Sequence, residues 1–289
     1  MYLTSLVLLC AINMLAVCGV ALLIGYTGLF TMGHAGFMAI GAYGATLLYL
    51  KLGVPYIPAL LLGGAIAALI SIIIGYPPLK SKLSGDYFAI ATLGFGEIVR
   101  LVIANTKPVF NGALGIPGIP KMTSVWSALL FMAIGVYLMR NYIKSQYGKN
   151  CIAIQQQEIA AEMIGINVLK VKLTSLMISA FYCGVAGGMF AFYATFISPN
   201  TYGEAKSTDL LASVVVGGIN SISGPLLASI VFTLLPEVLR FIVEWRLVVY
   251  GLVFVVMMLF RPEGFLGYKE ISFKGLKKFI KAGRGTGNG

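Results

Sequence analysis

Uncharged hydrophobic stretches follow one another along most of this 289-residue chain, and the first charged residue is Lys51. Several stretches reach about 17 to 25 residues, the length that a helix needs to cross the hydrocarbon core of a bilayer. A soluble fold of this size would need more surface charge. The pattern therefore predicts spans at Leu3–Ile24, Leu29–Leu50, Ile57–Tyr76, Tyr87–Ala104, Thr123–Met139, Leu173–Phe196 and Leu247–Phe260.

A further apolar stretch, Leu210–Leu235, is interrupted by the small and polar residues of Gly217–Pro225. This interruption predicts two shorter elements that break at membrane depth. The whole chain is thus predicted to be an all-α polytopic bundle of about eight or nine spans with broken helices. Residues 1–268 would form the transmembrane domain, and residues 269–289 a basic tail.

Two glycine-rich interruptions share a pattern that predicts an internal repeat. In Gly25–Gly36 and in Gly217–Pro225, a glycine is followed three positions later by a hydroxyl residue. Unwound backbone is tolerated at membrane depth only where protein or a wet cavity surrounds it, so paired breaks indicate a substrate path. The alternative is close helix packing through small residues, which is favoured for Gly41, Gly184, Gly187 and Gly188. The candidate path residues in the breaks are Gly28, Thr31, Gly33, His34, Gly218, Asn220 and Ser221.

Composition and charge give the orientation. Hydrophobic residues make up 58% of the chain and charged residues 11%, with a formal net charge of +11. Basic residues concentrate in Pro77–Ser84, Arg140–Lys172 and Arg261–Gly289, so the positive-inside rule places these segments in the cytoplasm. The opposite loops would hold Lys51, Lys107, Lys121 and Lys206. Because the basic residues follow spans and lack interleaved aromatics, no nucleic-acid partner is predicted.

Glu97 and Arg100 are ionisable residues inside a predicted span. They are three positions apart, so they share a helix face and can pair. Two interpretations stay open, a structural bridge between spans and a part of a gate or hydrophilic lining. For His34, packing or helix capping is favoured over a proton relay, and as the sole histidine it gives no basis for a metal site. Cys10, Cys18, Cys151 and Cys183 are expected to be free thiols because their spacing fits neither a disulfide framework nor a zinc site.

The polar insert between Arg140 and Lys172 predicts one short amphipathic helix from Gln155 to Ile164, which Gly165 closes. Apolar Ile152, Ile159 and Met163 would share one face, opposite Glu158 and Glu162. Such a helix can dock a soluble partner or lie on the bilayer. The acidic polar face favours docking, since surface-lying helices usually present Lys and Arg to lipid phosphates.

Motifs for catalysis are missing from the sequence. It contains no Gly-x-x-x-x-Gly-Lys-Ser/Thr loop for ATP, no His-Glu-x-x-His and no Gly-x-Ser-x-Gly. The chain is therefore predicted to be a non-catalytic membrane protein without a cofactor. An ion-coupled secondary transporter stays open as an alternative, because broken helices and Glu97 suit ion coupling as well.

Four segments carry a family resemblance, and they span most of the chain. In order and spacing, Gly25–Tyr43, Tyr87–Arg100, Glu158–Ile166 and Arg261–Gly267 resemble the permease subunits of branched-chain amino acid ABC importers. The resemblance implies a bacterial cytoplasmic membrane complex of two permeases, two ATP-binding subunits and an extracytoplasmic solute-binding protein. It also implies that the insert is a coupling loop, with Glu158, Ile159, Ala161, Glu162, Met163 and Gly165 seated on an ATP-binding subunit.

The implied cargo is Leu, Ile, Val or a related small solute, with urea, short amides or ribose-type sugars as alternatives. Two segments depart from the family pattern. Gly19–Leu22 lacks an asparagine that is usual there, and Phe110–Gly115 replaces a Thr-Gly-Gly-x-Asn-Gly segment. These departures leave the fold and the partners unchanged but leave the cargo open.

Overall fold

The computed structural model describes residues 2–83, 85–238 and 251, and most of them are helical. Two short strands, Ile116–Pro117 (β1) and Phe196–Ile197 (β2), form a small antiparallel sheet. The helices are α1 Tyr2–Ala21, α2 His34–Leu52, α3 Tyr56–Lys80, α4 Asp86–Asn105, α5 Lys107–Phe110, α6 Val125–Lys144, α7 Gln146–Gln156, α8 Glu158–Met163, α9 Val168–Ala194, α10 Glu204–Gly217 and α11 Ser223–Val238.

Among the described residues, six helical stretches are long and apolar enough to cross a membrane. They correspond to the first six spans predicted above, and they identify a multi-pass membrane protein. The second begins at His34 rather than Leu29, because the glycine-rich segment before it is not helical. Apart from Gly251, the span at Leu247–Phe260 lies outside the described residues, so the total of eight or nine stays a prediction.

Helix α9 lies at the centre of the bundle and packs against α1, α2 and α3. Glycines bring these helices into close contact: a Cβ on Gly41 would overlap the backbone of Gly184, and one on Gly187 would overlap the carbonyl of Met38. A Cβ on Gly184 would lie 3.0 Å from the Cα of Gly64. The packing role predicted for these glycines is confirmed, because small residues let membrane helices approach closely. We call this contact region the glycine seam.

The small sheet fastens the segment after α4 to the end of α9. Ile116 pairs with Ile197, and Gly115 adopts φ of +75° where a side chain would overlap the Ile197 carbonyl. The Asn111 amide donates a 2.8 Å hydrogen bond to the Gly115 carbonyl. The segment that departs from the family pattern is therefore a fixed turn on the side opposite the insert.

Two lysine contacts test the predicted arrangement of charge. Lys82 Nζ lies 3.3 Å from a Glu162 carboxylate oxygen, so the turn after α3 and the insert share one side, as predicted. The third basic segment, Arg261–Gly289, lies outside the described residues.

The prediction that Lys206 lies in a loop is wrong. This lysine lies in the first turn of α10, where its ammonium group donates to Asn13 Oδ1 at 2.9 Å, because α10 packs against α1 inside the bundle.

The single helix predicted from Gln155 to Ile164 is also wrong. Gln157 is extended, with φ −159° and ψ 106°, and it separates α7 from α8. Ile152 packs against the core while Ile159 and Met163 face outward, so the three do not share a face. The helical spacing fails because the extended residue turns α8 away from α7. Gly165 follows with the predicted left-handed conformation, φ +86°.

Candidate functional site

The first membrane break follows a change of helical winding at the end of α1. Leu22–Tyr26 forms a single π-helical turn, closed by a 3.1 Å hydrogen bond from the Thr27 amide to the Leu22 carbonyl. Residues 27–33 are then non-helical, and Gly28 adopts φ of +72°. Such π turns occur often at functional positions. No hydrophobic or glycine pattern identifies this turn in the sequence.

Side-chain hydroxyls from other helices satisfy the unwound backbone of the first break. The Met32 amide donates to Thr92 Oγ1 of α4 at 3.1 Å, and the Ala35 amide donates to Ser207 Oγ of α10 at 3.0 Å. The Gly33 amide bonds the hydroxyl of Thr31, which is fully buried. Backbone groups away from water need such partners, so the break is a built feature that two other helices, α4 and α10, hold in place.

His34 begins α2 directly after this break. It is fully buried, and its Nε2 lies 3.2 Å from Ser179 Oγ of α9. The N-cap residue is Gly33, so His34 packs and bonds within the bundle and does not cap the helix. Within the described residues, no group of three His, Cys, Asp or Glu side chains lies close enough to hold a metal ion.

The second break separates α10 from α11. Gly218 adopts φ of +114°, a conformation that L side chains rarely take, and the buried Ser221 hydroxyl accepts a 3.2 Å hydrogen bond from the Gly224 amide. The backbones of Gly217 and Gly224 touch across the break, because a Cβ on either would overlap the other segment. The predicted interruption of Leu210–Leu235 is therefore confirmed.

The two breaks meet each other, which the sequence did not predict. A Cβ on Gly25 would overlap the carbonyl oxygen of Ile219, and the Tyr26 hydroxyl lies 3.5 Å from the carbonyl of Asn220. The structure thus brings Gly28 and Asn220 to one junction. Thr31, Gly33 and His34 lie at the other end of the first break, against α4, α9 and α10.

Glu97 and Arg100 form the predicted pair on α4. Arg100 Nε lies 3.0 and 3.1 Å from the two carboxylate oxygens, and Arg100 Nη1 donates to Asn200 Oδ1 at 2.8 Å. The side chains remain 42% exposed for Glu97 and 31% for Arg100. Glu97 also lines a cavity of about 80 Å³ that Met32 and Ala35 of the first break border. The pair therefore reaches the same region as the first break.

Helix α8 presents apolar side chains outward, and both of its acidic side chains form ion pairs. Ile159 is 70% exposed and Met163 83%, whereas Ala161 is buried. Glu158 pairs with Lys172 of α9 at 2.7 Å, and Glu162 pairs with Lys82. An exposed apolar face on a short polar insert is a feature of protein contact surfaces.

Comparison with known proteins identifies the family. A family model described as "Branched-chain amino acid transport system / permease component" matches residues 2–260. The chain is 31% identical to the high-affinity branched-chain amino acid transport system permease protein LivM of Salmonella typhimurium, over 93% of this chain and 70% of that protein. It is 33% identical to the LivM protein of Escherichia coli, over 86% and 66%.

A third relative is the probable branched-chain amino acid transport permease protein LivH of Methanocaldococcus jannaschii, at 25% identity over 93% of this chain and 92% of that protein. No solved structure matches the chain. The chain spans about two thirds of the length of the two LivM proteins. The match over almost all of the described residues, on a multi-pass helical bundle with two breaks, shows that the chain belongs to the permease components of branched-chain amino acid transport systems.

Proposed function

We propose that the chain is a permease subunit of an ATP-binding cassette importer that forms the path for Leu, Ile and Val. The observation that carries the proposal is the junction of two broken helices in a chain of this family. Unwound backbone at membrane depth is a recurrent way to build a solute path. The candidate path residues are Gly28, Thr31, Gly33, His34, Glu97, Arg100, Gly218, Asn220 and Ser221.

The complex contains two permeases, two cytoplasmic ATP-binding subunits and an extracytoplasmic solute-binding protein. The partial exposure of the Glu97–Arg100 pair supports a second permease or water at this face, because a lipid-facing charge pair costs free energy. The insert and the basic tail lie on the cytoplasmic side of a bacterial inner membrane. The chain itself carries no catalytic group and no cofactor.

Uptake into inside-out and right-side-out vesicles tests the energy source and the cargo. The complete complex is expected to accumulate radiolabelled leucine with ATP and binding protein, without a response to the collapse of ion gradients. Excess unlabelled isoleucine or valine should compete with leucine, whereas ribose and urea should not. Uptake that follows an ion gradient would favour the secondary transporter. Competition by ribose or urea would show that the transported solute is a sugar or an amide.

The outward face of α8 is the proposed binding surface for the ATP-binding subunit. Ile159→Asp and Met163→Asp place a carboxylate in that contact without removing an internal bond, because both side chains point outward. We expect each variant to insert normally and to lose co-purified ATP-binding subunits, since burying an unpaired charge in an interface is costly. Glu158→Lys is a less selective test because it also breaks the contact with Lys172.

A matched control comes from the same insert. Gln146→Asp adds a carboxylate at the exposed start of α7, where the helix N-terminus favours negative charge. This variant should keep its ATP-binding subunits. Normal recovery of those subunits with both α8 variants would remove the helix from the coupling route, and a changed dependence on anionic lipid would assign it to the membrane surface.

A further inference from the structure

Gln155 is a half-buried glutamine near the end of α7, and the two glutamines that follow it are exposed. Its Nε2 donates a 3.0 Å hydrogen bond to Oδ1 of Asn220, in the second break. The contact joins residues that lie far apart in sequence, one in the insert and one inside the membrane domain. Gln155 is therefore a direct polar link from the insert to the second break.

The same side chain also lies against the first break. A Cβ on Gly28 would come 3.2 Å from Gln155 Cγ and 3.6 Å from Gln155 Cβ, so the glycine leaves room for this glutamine. The carbonyl of Asn220 is in turn the acceptor for the Tyr26 hydroxyl at 3.5 Å. One side chain of the insert thus touches both breaks at the place where they meet.

The end of α7 is packed to move together with α8. Ile154, next to Gln155, forms a small buried cluster with Ala161 of α8 and Val168 of α9. Densely packed apolar contacts of this kind transmit displacement. A partner that shifts the outward face of α8 will therefore shift the α7 end that carries Gln155.

We propose that Gln155 is the positioning residue that transmits movement of the insert to both membrane breaks through its hydrogen bond to Asn220. The bond holds the junction in the state described here, and the transport cycle breaks and remakes it. The inference rests on the proposed function, since it assumes that α8 receives a partner's motion. It adds a specific link between the docking helix and the solute path.

The test compares Gln155→Leu with Gln156→Leu in the complete complex. Leucine keeps the approximate volume of glutamine and removes the hydrogen bond. With Gln155→Leu we expect ATP-binding subunits to co-purify normally and the number of leucine molecules transported per ATP to fall by about fivefold, the effect of one ordinary hydrogen bond. Gln156→Leu changes the exposed neighbour and should keep the wild-type ratio. Gln155→Glu can still accept a bond from the Asn220 amide and should restore most of the ratio.

A double variant tests the link to Asn220. If the two side chains act as one unit, Gln155→Leu with Asn220→Leu should be no worse than either change alone. A wild-type ratio in Gln155→Leu, or a double variant whose loss is the product of both single losses, would overturn the inference. If Gln155→Leu does not assemble, Gln155→Asn provides the same comparison, because it shortens the polar side chain by one methylene. Failure of the proposed function is distinguishable from failure of this inference, since the wild-type complex would then show no ATP-driven leucine uptake at all.

Discussion

The glycine seam and the two membrane breaks hold helices together by different forces. In the seam, glycines of α2, α3 and α9 bring backbone against backbone. In the breaks, hydroxyl and amide groups of Thr92, Ser207, Gln155 and Asn220 hold unwound chain in place. Close packing is lost with any displacement, whereas a hydrogen bond can be exchanged for another partner or for water. The seam is therefore suited to be the fixed frame, and the breaks are suited to move.

The largest effect is expected from a change in the seam. Gly41→Val and Gly187→Val would force side chains into the backbone of neighbouring helices, and the cost should exceed about 3 kcal/mol because backbone cannot give way as a flexible side chain does. We expect almost no folded protein in size-exclusion profiles after detergent extraction. Gly94→Val is the matched control, since nothing lies within 4 Å of a Cβ there. Normal yield of the seam variants would show that the seam is not a rigid frame.

The breaks should tolerate a glycine replacement in folding but not in transport. Gly28 and Gly218 have φ of +72° and +114°, so Gly28→Val and Gly218→Val will change the backbone there. The left-handed region costs a non-glycine residue about 1–2 kcal/mol, and the rarer conformation of Gly218, with ψ of +122°, costs of order 1–3 kcal/mol, which a whole complex can absorb. We expect folded variants whose leucine uptake is lost.

Gly118→Val separates strain from function. Gly118 has φ of +77° and open space around it, so the substitution carries a similar backbone cost away from the breaks. It should keep uptake. If Gly28→Val and Gly218→Val transport leucine as Gly118→Val does, the breaks are packing features and their difference from the seam disappears.

The Glu97–Arg100 pair lies outside the seam and borders the first break, and both of its side chains are partly exposed. Glu97→Gln leaves the Arg100 guanidinium with Asn200 and no counter-charge, so we expect a lower thermal-unfolding temperature. The double change Glu97→Gln with Arg100→Gln should recover part of that loss in a thermal-unfolding assay. A double variant less stable than the sum of the single changes would exclude a structural pair and favour a role in the path.

The sequence predicted the six described spans and both breaks because each depends on a local pattern. Apolar stretches of spanning length identify helices, and clusters of glycine and hydroxyl residues identify unwound chain. The meeting of the breaks at Gly25 and Ile219 was not predictable, since it depends on how distant helices pack.

The same reason explains the errors at single residues. The sequence pattern predicts Lys206 in a loop, but the lysine donates a hydrogen bond to Asn13 of α1. No local pattern reveals that partner. Gln157 belongs to a run of good helix formers, yet tertiary packing of α8 against α9 overrides that propensity. Gln155 could have been found only from the contact itself, because its neighbours Gln156 and Gln157 are identical in type.

The smallest effect is expected where the insert meets solvent. Lys82 and Glu162 form an ion pair whose side chains are 75% and 46% exposed, so Lys82→Ala should change the free energy of unfolding by less than about 1 kcal/mol. Lys172 pairs with Glu158 while its own side chain is only 9% exposed. Lys172→Met should therefore lower thermal stability more than Lys82→Ala, and high salt should weaken only the Lys82 contact appreciably. Equal losses from the two substitutions, measured side by side at low and high salt, would mean that α8 is held by its apolar contact to Ile154 and not by charge. The insert would then belong with the packed frame, and the hydrogen bond from Gln155 to Asn220 would remain an exchangeable contact between it and the breaks.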